Sequence, residues 1–151
     1  MAFVFRFAQL LQMAIHEETE VKNRLAVKDA QIASEEHEIK KLLDMRDQGF
    51  TDQSLALRSG NLDVFRMYPA YIHRLDRQRE FHEEERERLQ KQRAKIMAEL
   101  VEKRRVRKIY EKLRERDEKR YQKRMEKIDQ KRMDEFANRN AAVQRAQEPG
   151  G

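Results

Sequence analysis

The sequence predicts an all-α protein: two long helices in an antiparallel coiled-coil hairpin, with short helical segments at the reversal. Three observations favour this fold class. About half of the 151 residues are Ala, Glu, Lys, Leu or Arg, and charged residues make up 41% of the chain, a composition typical of coiled coils and long helices. Apolar residues recur at the alternating three- and four-residue spacing of a heptad repeat. Glycine and proline are absent from residues 70–142.

The first helix is predicted over about residues 3–46, and its seam is interrupted by the polar residues Glu18, Lys28 and Glu35. The apolar positions of this seam are Val4, Phe7, Leu11, Ala14, Val21, Leu25, Ile32, Ile39 and Leu42. Because glycine commonly follows a helix C-terminus and a basic side chain suits the last turn, we expect Gly49 to end the helix after Arg46.

The reversal is predicted over about residues 47–69. Its turn-forming residues are Gly49, Gly60 and Pro69. Thr51 is a candidate cap for a short helix through Leu57, and Asn61 is a candidate cap for the next turn. Pro69 lacks an amide donor and disfavours helical backbone at Tyr68, so the chain is expected to bend or restart there.

The second helix is predicted over about residues 70–142, followed by a frayed tail at 143–151, all within one elongated domain. If Met45 lies beside Ala70, then Phe3 lies near Lys112, and the last thirty-odd residues of the helix have no partner within the chain. Residues 103–132 carry 15 basic and six acidic side chains, a net charge of +9. The whole chain has a net charge of +6, so the rest of it sums to −3. The basic charge is therefore concentrated near the unpartnered part of the helix.

No catalytic constellation is present, so we predict that the protein is not an enzyme and uses no cofactor. The chain has no cysteine and four histidines. The run His16–Glu20 lacks the second histidine of a zinc-protease helix. No run approaches the length of a membrane span, and the apolar stretch Phe3–Ile15 is read as an amphipathic helix start rather than a signal peptide. A cytoplasmic protein is the default expectation.

Two features suggest binding partners. The basic run Lys103–Lys108 is the strongest candidate for neutralising the phosphates of nucleic acid. Because acidic residues return from Glu111 onward, a partner-facing coiled-coil surface is favoured, and a basic adaptor for nucleic acid is the alternative. The segment Tyr121–Asn140 carries a narrow apolar line through Met125, Ile128 and Phe136, which favours a helix-in-groove or ring-lumen contact with another protein. A self-associating scaffold is the remaining alternative.

The segment Ile128–Arg139 is closely similar to the C-terminal signature of the flagellar export protein family FliJ, in which a Lys-rich turn precedes an Asp-Glu pair, a hydrophobic residue and Ala. Ile109–Arg116 resembles the Glu-Lys-Leu-Lys/Arg segment of that family. The spacing of Phe5, Phe7 and Leu10-Leu11 resembles the family's N-terminal opening. The resemblance spans nearly the whole chain.

The resemblance implies an antiparallel coiled coil like the central stalk of rotary ATPases, acting in the flagellar type III protein export apparatus. Its implied partners are the hexameric ring of the export ATPase, the cytoplasmic domain of the export gate membrane protein, and escort chaperones. It also implies a cytoplasmic protein that associates peripherally with the inner-membrane gate at the flagellar base. No small-molecule substrate is implied.

The resemblance further implies two contact surfaces. The gate contact, near the loop end, comprises Glu38, Leu42, Met45, Tyr71, Leu75, Gln78 and His82. The contact with the ATPase ring comprises Phe7, Leu11, Tyr121, Met125, Ile128, Arg132, Met133 and Phe136.

Overall fold

Two helices, α1 (Ala8–Arg58) and α2 (Leu62–Gln147), make up nearly all of the computed structural model, which describes residues 2–148. No strand occurs within that range. The helices pack against each other in opposite directions, so the predicted all-α helical hairpin is confirmed. Residues 149–151 of the predicted tail lie outside the described residues.

The contacts within the chain fall into two compact units, and each unit contains a piece of both helices. One unit comprises residues 17–103, and the other comprises residues 1–16 together with 104–151. The gate residues predicted from the sequence all lie in the first of these units, which we call the loop-end unit. The ring residues all lie in the second, which we call the terminal unit.

Helix α1 continues well past residue 46, because the heptad seam does not stop there. The positions turned away from solvent form an unbroken series of alternating three- and four-residue steps: Leu11, Ala14, Glu18, Val21, Leu25, Lys28, Ile32, Glu35, Ile39, Leu42, Arg46, Gly49, Gln53 and Ala56. The prediction that Gly49 ends the helix is wrong. A Cβ at residue 49 would lie 3.4 Å from Cε1 of Tyr71 and 3.7 Å from Cγ1 of Ile72, so the glycine lets α2 approach closely at a seam position.

The N-terminal segment differs from the predicted helix start. Residues 2–7 are not helical, and α1 begins at Ala8. As a result Phe5 is buried, 7% exposed, while the predicted seam residue Val4 is 82% exposed. The helical spacing that placed Val4 on the seam does not apply to a segment with a different backbone.

Helix α2 begins before Pro69 and runs through it, so the predicted break at this proline is also wrong. A proline in a helix interior costs about 3 kcal/mol, largely because one backbone hydrogen bond is lost. Directly after it, Ile72 and Leu75 are 7% and 4% exposed, and burying each such side chain contributes about 1.5–3 kcal/mol. Packing on α1 therefore outweighs the local preference against helix.

The reversal consists of residues 59–61, much shorter than the predicted 47–69. Gly60 has a φ of 77°, a left-handed conformation that suits glycine. The Asn61 amide donates to the Ala56 carbonyl at 3.0 Å and the Gly60 amide to the Leu57 carbonyl at 3.2 Å, which together form a Schellman motif. The carbonyl oxygens at the end of α1 thereby gain donors.

The cap prediction for Asn61 is confirmed, since its Oδ1 accepts a hydrogen bond from the Val64 amide at 3.3 Å. The cap prediction for Thr51 is wrong. Thr51 lies inside α1, and its hydroxyl donates to the Asp47 carbonyl at 3.2 Å. Asn61 succeeds as a cap because the chain leaves helical geometry at this point, whereas at Thr51 it does not.

The register follows from polar side-chain pairs and a ring contact. In the loop-end unit the pairs that join the helices include Arg46–Asp76 at 2.8 Å, Glu35–His82 at 2.5 Å, Asp29–Arg93 at 2.5 Å, Arg24–Glu99 at 2.6 Å and Glu17–Lys103 at 2.9 Å. In the terminal unit the Phe3 ring lies 5.6 Å from the Tyr121 ring. Phe3 therefore lies beside Tyr121 rather than the predicted Lys112. The reversal is centred on Gly60, later than the predicted midpoint near residue 58, and residues 2–7 are not helical, so the helical spacing used for the prediction does not apply to Phe3.

The shifted register shortens the part of α2 that α1 does not cover. Met125 is the last half-buried residue, and every residue from 126 to 148 is exposed. The helix also extends to Gln147, so the expected fraying of residues 143–147 is wrong. The uncovered segment is thus helical, and it begins more than one helical turn later than the sequence indicated.

Candidate functional site

An apolar groove lies between the helices close to the reversal, and we call it the loop-end groove. It has a volume of about 560 Å³. Its walls are Met45, Gln48, Gly49, Asp52, Val64, Met67, Tyr68, Tyr71 and Arg74. The groove forms where Gly49 supplies no side chain, and the Tyr71 ring packs over that glycine while meeting the Tyr68 ring edge-on at 6.2 Å.

Two of the seven predicted gate residues, Met45 and Tyr71, line this groove. Leu42 and Leu75 instead lie in the helical seam, where they are 6% and 4% exposed. An apolar side chain in that position is covered by the facing helix. Both leucines therefore stabilise the packing of the two helices next to the groove.

The other three predicted gate residues lie further from the reversal. His82 Nδ1 is 2.5 Å from Glu35 Oε2, so this side chain bridges the two helices. Glu38 is half-buried and Gln78 is exposed. The structure thus brings only part of the predicted set together at one surface.

The sequence reasoning missed seven groove residues: Gln48, Gly49, Asp52, Val64, Met67, Tyr68 and Arg74. All but Arg74 fall within residues 47–69, which were interpreted as an irregular reversal. A signal in the sequence is the continuation of the α1 heptad through Arg46, Gly49, Gln53 and Ala56. Following that series would have extended α1 and shortened the predicted reversal.

A second surface is the apolar side of the uncovered end of α2, which we call the terminal stripe. It comprises Ile128, Met133, Phe136 and Val143, which are 42%, 71%, 66% and 54% exposed. Ile128, Phe136 and Val143 share one face at helical spacing, and Met133 lies beside it. Exposed apolar side chains that share one face of an uncovered helix are typical of an interaction site.

Three of the predicted ring residues, Ile128, Met133 and Phe136, belong to the terminal stripe. Arg132 is exposed beside them, and Met125 is half-buried at the start of the stripe. Val143 was missed, because residues 143–151 were assigned to a frayed tail.

The remaining ring residues contact other parts of the terminal unit. Leu11 is 5% exposed in the seam. The Phe7 ring lies 5.9 Å from the Phe5 ring, and the Arg6 guanidinium lies 4.6 Å above it. Tyr121 contacts Phe3. Of these side chains, Tyr121 joins the N-terminal segment to α2. The contacts that Phe7, Leu11 and Tyr121 make within the terminal unit leave less of their surface for a partner.

The basic run of residues 103–108 is partly neutralised by carboxylates. Lys103 Nζ donates to Glu17 Oε2 at 2.9 Å, and this hydrogen bond, together with the attraction of the carboxylate, raises the pKa of the Lys103 ammonium. Arg107 Nη1 donates to Glu111 Oε1 at 2.7 Å. Fewer positive charges are therefore available to phosphates than the sequence suggests.

No group of three or more His, Asp or Glu side chains within residues 2–148 is arranged to hold a metal ion. Neither helix of that described range contains a segment apolar enough to cross a bilayer.

A comparison with protein families gave one family model, described as flagellar FliJ protein, which matches residues 3–146. Neither the curated proteins nor the solved structures compared with the chain gave a significant match. The family match covers both helices, the loop-end groove and the terminal stripe.

Proposed function

The chain belongs to the flagellar FliJ family, whose members are components of flagellar protein export. We propose that it is a non-enzymatic stalk linking the export ATPase to the export gate. In this proposal the end of α2 enters the hexameric ATPase ring. The loop end contacts the cytoplasmic domain of the gate membrane protein, and escort chaperones also bind the stalk. The protein is then cytoplasmic and peripheral to the inner membrane at the flagellar base.

The exposure of the terminal stripe is the observation that carries the proposal. Four apolar side chains lie uncovered on a helix that is otherwise rich in charge, and Phe136 and Met133 are both more than 60% exposed. Leaving them in water forgoes about 25 cal/mol for each Å² of apolar surface that a partner would bury. A helix of this kind fits a groove or a ring lumen with apolar contact points.

Changing Ile128, Met133 and Phe136 together to Asp should weaken binding to the export ATPase at least tenfold. Each change removes buried apolar contact in the complex and adds a charge that the partner would have to desolvate. Co-sedimentation with the assembled ATPase measures the loss. Because these side chains are exposed on the uncovered end of α2, circular dichroism should show unchanged helix content.

The matched control places the same three charges on the opposite face of the same segment, by changing Gln130, Asn138 and Ala141 to Asp. This variant should bind the ATPase normally. Equal loss in both variants would mean that negative charge alone weakens binding, and would overturn the assignment of the stripe. Loss of self-association in place of ATPase binding, seen by analytical sedimentation, would instead support the scaffold alternative.

The loop-end groove supports the gate contact in the proposal. It is mainly apolar, it lies between two helices near the reversal, and Met67 at its edge is 70% exposed. A helix or an extended segment of the gate domain inserting an apolar side chain there would cover Met45, Met67 and Tyr71. Methionine suits such a contact because its flexible side chain adapts to the bound shape.

Changing Met45 and Met67 to Asp should weaken binding to the cytoplasmic domain of the gate by about tenfold or more, since both charges would be buried in the complex. Neither residue lies in the seam, so the fold should persist. Phe81→Asp is the control, because Phe81 is 60% exposed on α2 and lies outside the groove. Unchanged binding of the double variant, measured by titration calorimetry, would remove the groove from the proposal.

A further inference from the structure

A small basic pocket lies in the terminal unit, where the N-terminal segment meets α2, and we call it the arginine pocket. It has a volume of about 290 Å³. Its walls are Phe3, Val4, Arg6, Asp117, Arg120 and Arg124. Neither the stalk proposal nor the predicted contact sets use Arg6, Arg120 or Arg124.

The pocket has an excess of positive charge. Three guanidinium groups share it with one carboxylate, and that carboxylate is already engaged, with Arg6 Nε 3.6 Å from Asp117 Oδ2. Within residues 2–148, Arg120 and Arg124 form no ion pair. The pocket therefore presents two unneutralised guanidinium groups to solvent.

The spacing of these two arginines makes the excess costly. Residues four apart on a helix are neighbours, and a like-charged pair there destabilises the helix by a few tenths of a kcal/mol. An acid four residues before a base offsets such repulsion, as in Glu115–Lys119 at 3.2 Å. Arg120 and Arg124 have no acid at that position, since residues 116 and 120 are both Arg, and an anionic group between them would relieve the repulsion.

The neighbouring walls are apolar. Val4 is 82% exposed, and Phe3 is half-buried with its ring against Tyr121. A ligand that fits both walls carries a negative charge and an apolar group side by side. Arginine suits a carboxylate in particular, because its planar guanidinium group can form two parallel hydrogen bonds with it.

Nucleic acid fits this pocket less well. Phosphate backbones bind positive charges spaced along a track, whereas the arginines of this pocket lie beside a carboxylate and the apolar side chains of Phe3 and Val4. Asp117 lies within it, and Glu126 and Asp129 follow on the same helix. These carboxylates would repel a polyanion that continued along α2.

We infer that the arginine pocket binds an acidic segment of a partner protein, with a carboxylate between Arg120 and Arg124 and an adjacent apolar side chain against Val4 and Phe3. The inference goes beyond the stalk proposal and does not depend on it, since it concerns a separate pocket and is tested without the ATPase or the gate.

The probe is a fluorescein-labelled peptide of alternating Asp-Glu pairs and leucines, titrated against the full chain at low salt with fluorescence anisotropy as the readout. Arg120→Glu with Arg124→Glu should weaken binding at least tenfold. A peptide with Asn and Gln in place of the acids should bind the unaltered chain at least tenfold more weakly. Raising the salt concentration should weaken the acidic peptide further, because the contacts are exposed.

The control is Arg139→Glu with Arg145→Glu, which changes the net charge by the same amount at exposed positions of α2 outside the pocket. It should bind the acidic peptide within about twofold of the unaltered chain. The Arg120 and Arg124 variant should in turn bind a peptide with Lys in place of the acids, which a merely unfolded pocket would not do.

Three results would overturn the inference. One is acidic-peptide binding that survives the Arg120 and Arg124 changes, and another is equal loss in the Arg139 and Arg145 control. The third is displacement of the peptide by a single-stranded oligonucleotide that binds more tightly and depends on the same two arginines, which would make the pocket a phosphate site.

Discussion

Replacing Leu42 with Glu should lower the free energy of unfolding of the loop-end unit by about 3–5 kcal/mol, the order of an uncompensated buried charge. Leu42 is 6% exposed and lies at a seam position between Ile39 and Arg46. The carboxylate would either be desolvated there or push the helices apart. Denaturation in urea followed by circular dichroism measures the loss, which is large against the total stability of a small protein.

The adjacent residue provides the control. Leu43 is 39% exposed, so Leu43→Glu leaves its charge in water and should change stability by less than about 0.5 kcal/mol. The comparison also decides how Leu42 relates to the gate. If Leu42→Glu is as stable as Leu43→Glu and still loses gate binding, then Leu42 contacts the gate directly and its assignment to the scaffold is wrong.

The heptad seam is the part of the fold that the sequence predicted well. The spacing from Leu11 to Leu42 recurs in the structure without a shift, including its polar members Glu18, Lys28 and Glu35. Two of these polar residues have a polar partner close by. Glu18, 3% exposed, lies 3.4 Å from Lys22 of the next turn, and Glu35 pairs with His82 of α2.

The ends of the helices were predicted poorly, because local rules were applied where packing decides. Gly49 usually signals the end of a helix, and Pro69 a break. Here Gly49 is a close-contact position facing Tyr71, and Pro69 precedes two buried seam residues, Ile72 and Leu75. Only the facing helix supplies these compensating contacts, so neither residue's role follows from its own segment alone.

The same difference separates the two candidate surfaces. The terminal stripe depends on one helix and its own spacing, and three of its four residues were predicted. The loop-end groove depends on which residues of α1 and α2 meet. The position and length of the reversal decide that pairing. An error in the reversal therefore displaced the register and hid Val64, Met67 and Tyr68 from the prediction.

The seam is expected to determine stability, and residues 100 and 101 test this directly. Leu100→Ala should lower the free energy of unfolding by about 3 kcal/mol, within the range for large-to-small changes in a core. Leu100 is 4% exposed, and the ion pairs Glu17–Lys103 and Arg24–Glu99 bracket it. The facing stretch of α1 contains Val21, which is 2% exposed, so truncation leaves a cavity that neither helix fills easily.

Val101→Ala is the matched control, because Val101 is 61% exposed although it adjoins Leu100 on the same helix. Val101→Ala should lower the free energy of unfolding by no more than about 0.5 kcal/mol, and the higher helix propensity of alanine offsets part of that decrease. The two changes remove similar apolar groups one residue apart, so a difference of more than about 2 kcal/mol can arise only from the side on which each residue lies. Equal effects in urea denaturation would contradict the register of α2 on α1 within the loop-end unit, and with it the placement of the loop-end groove.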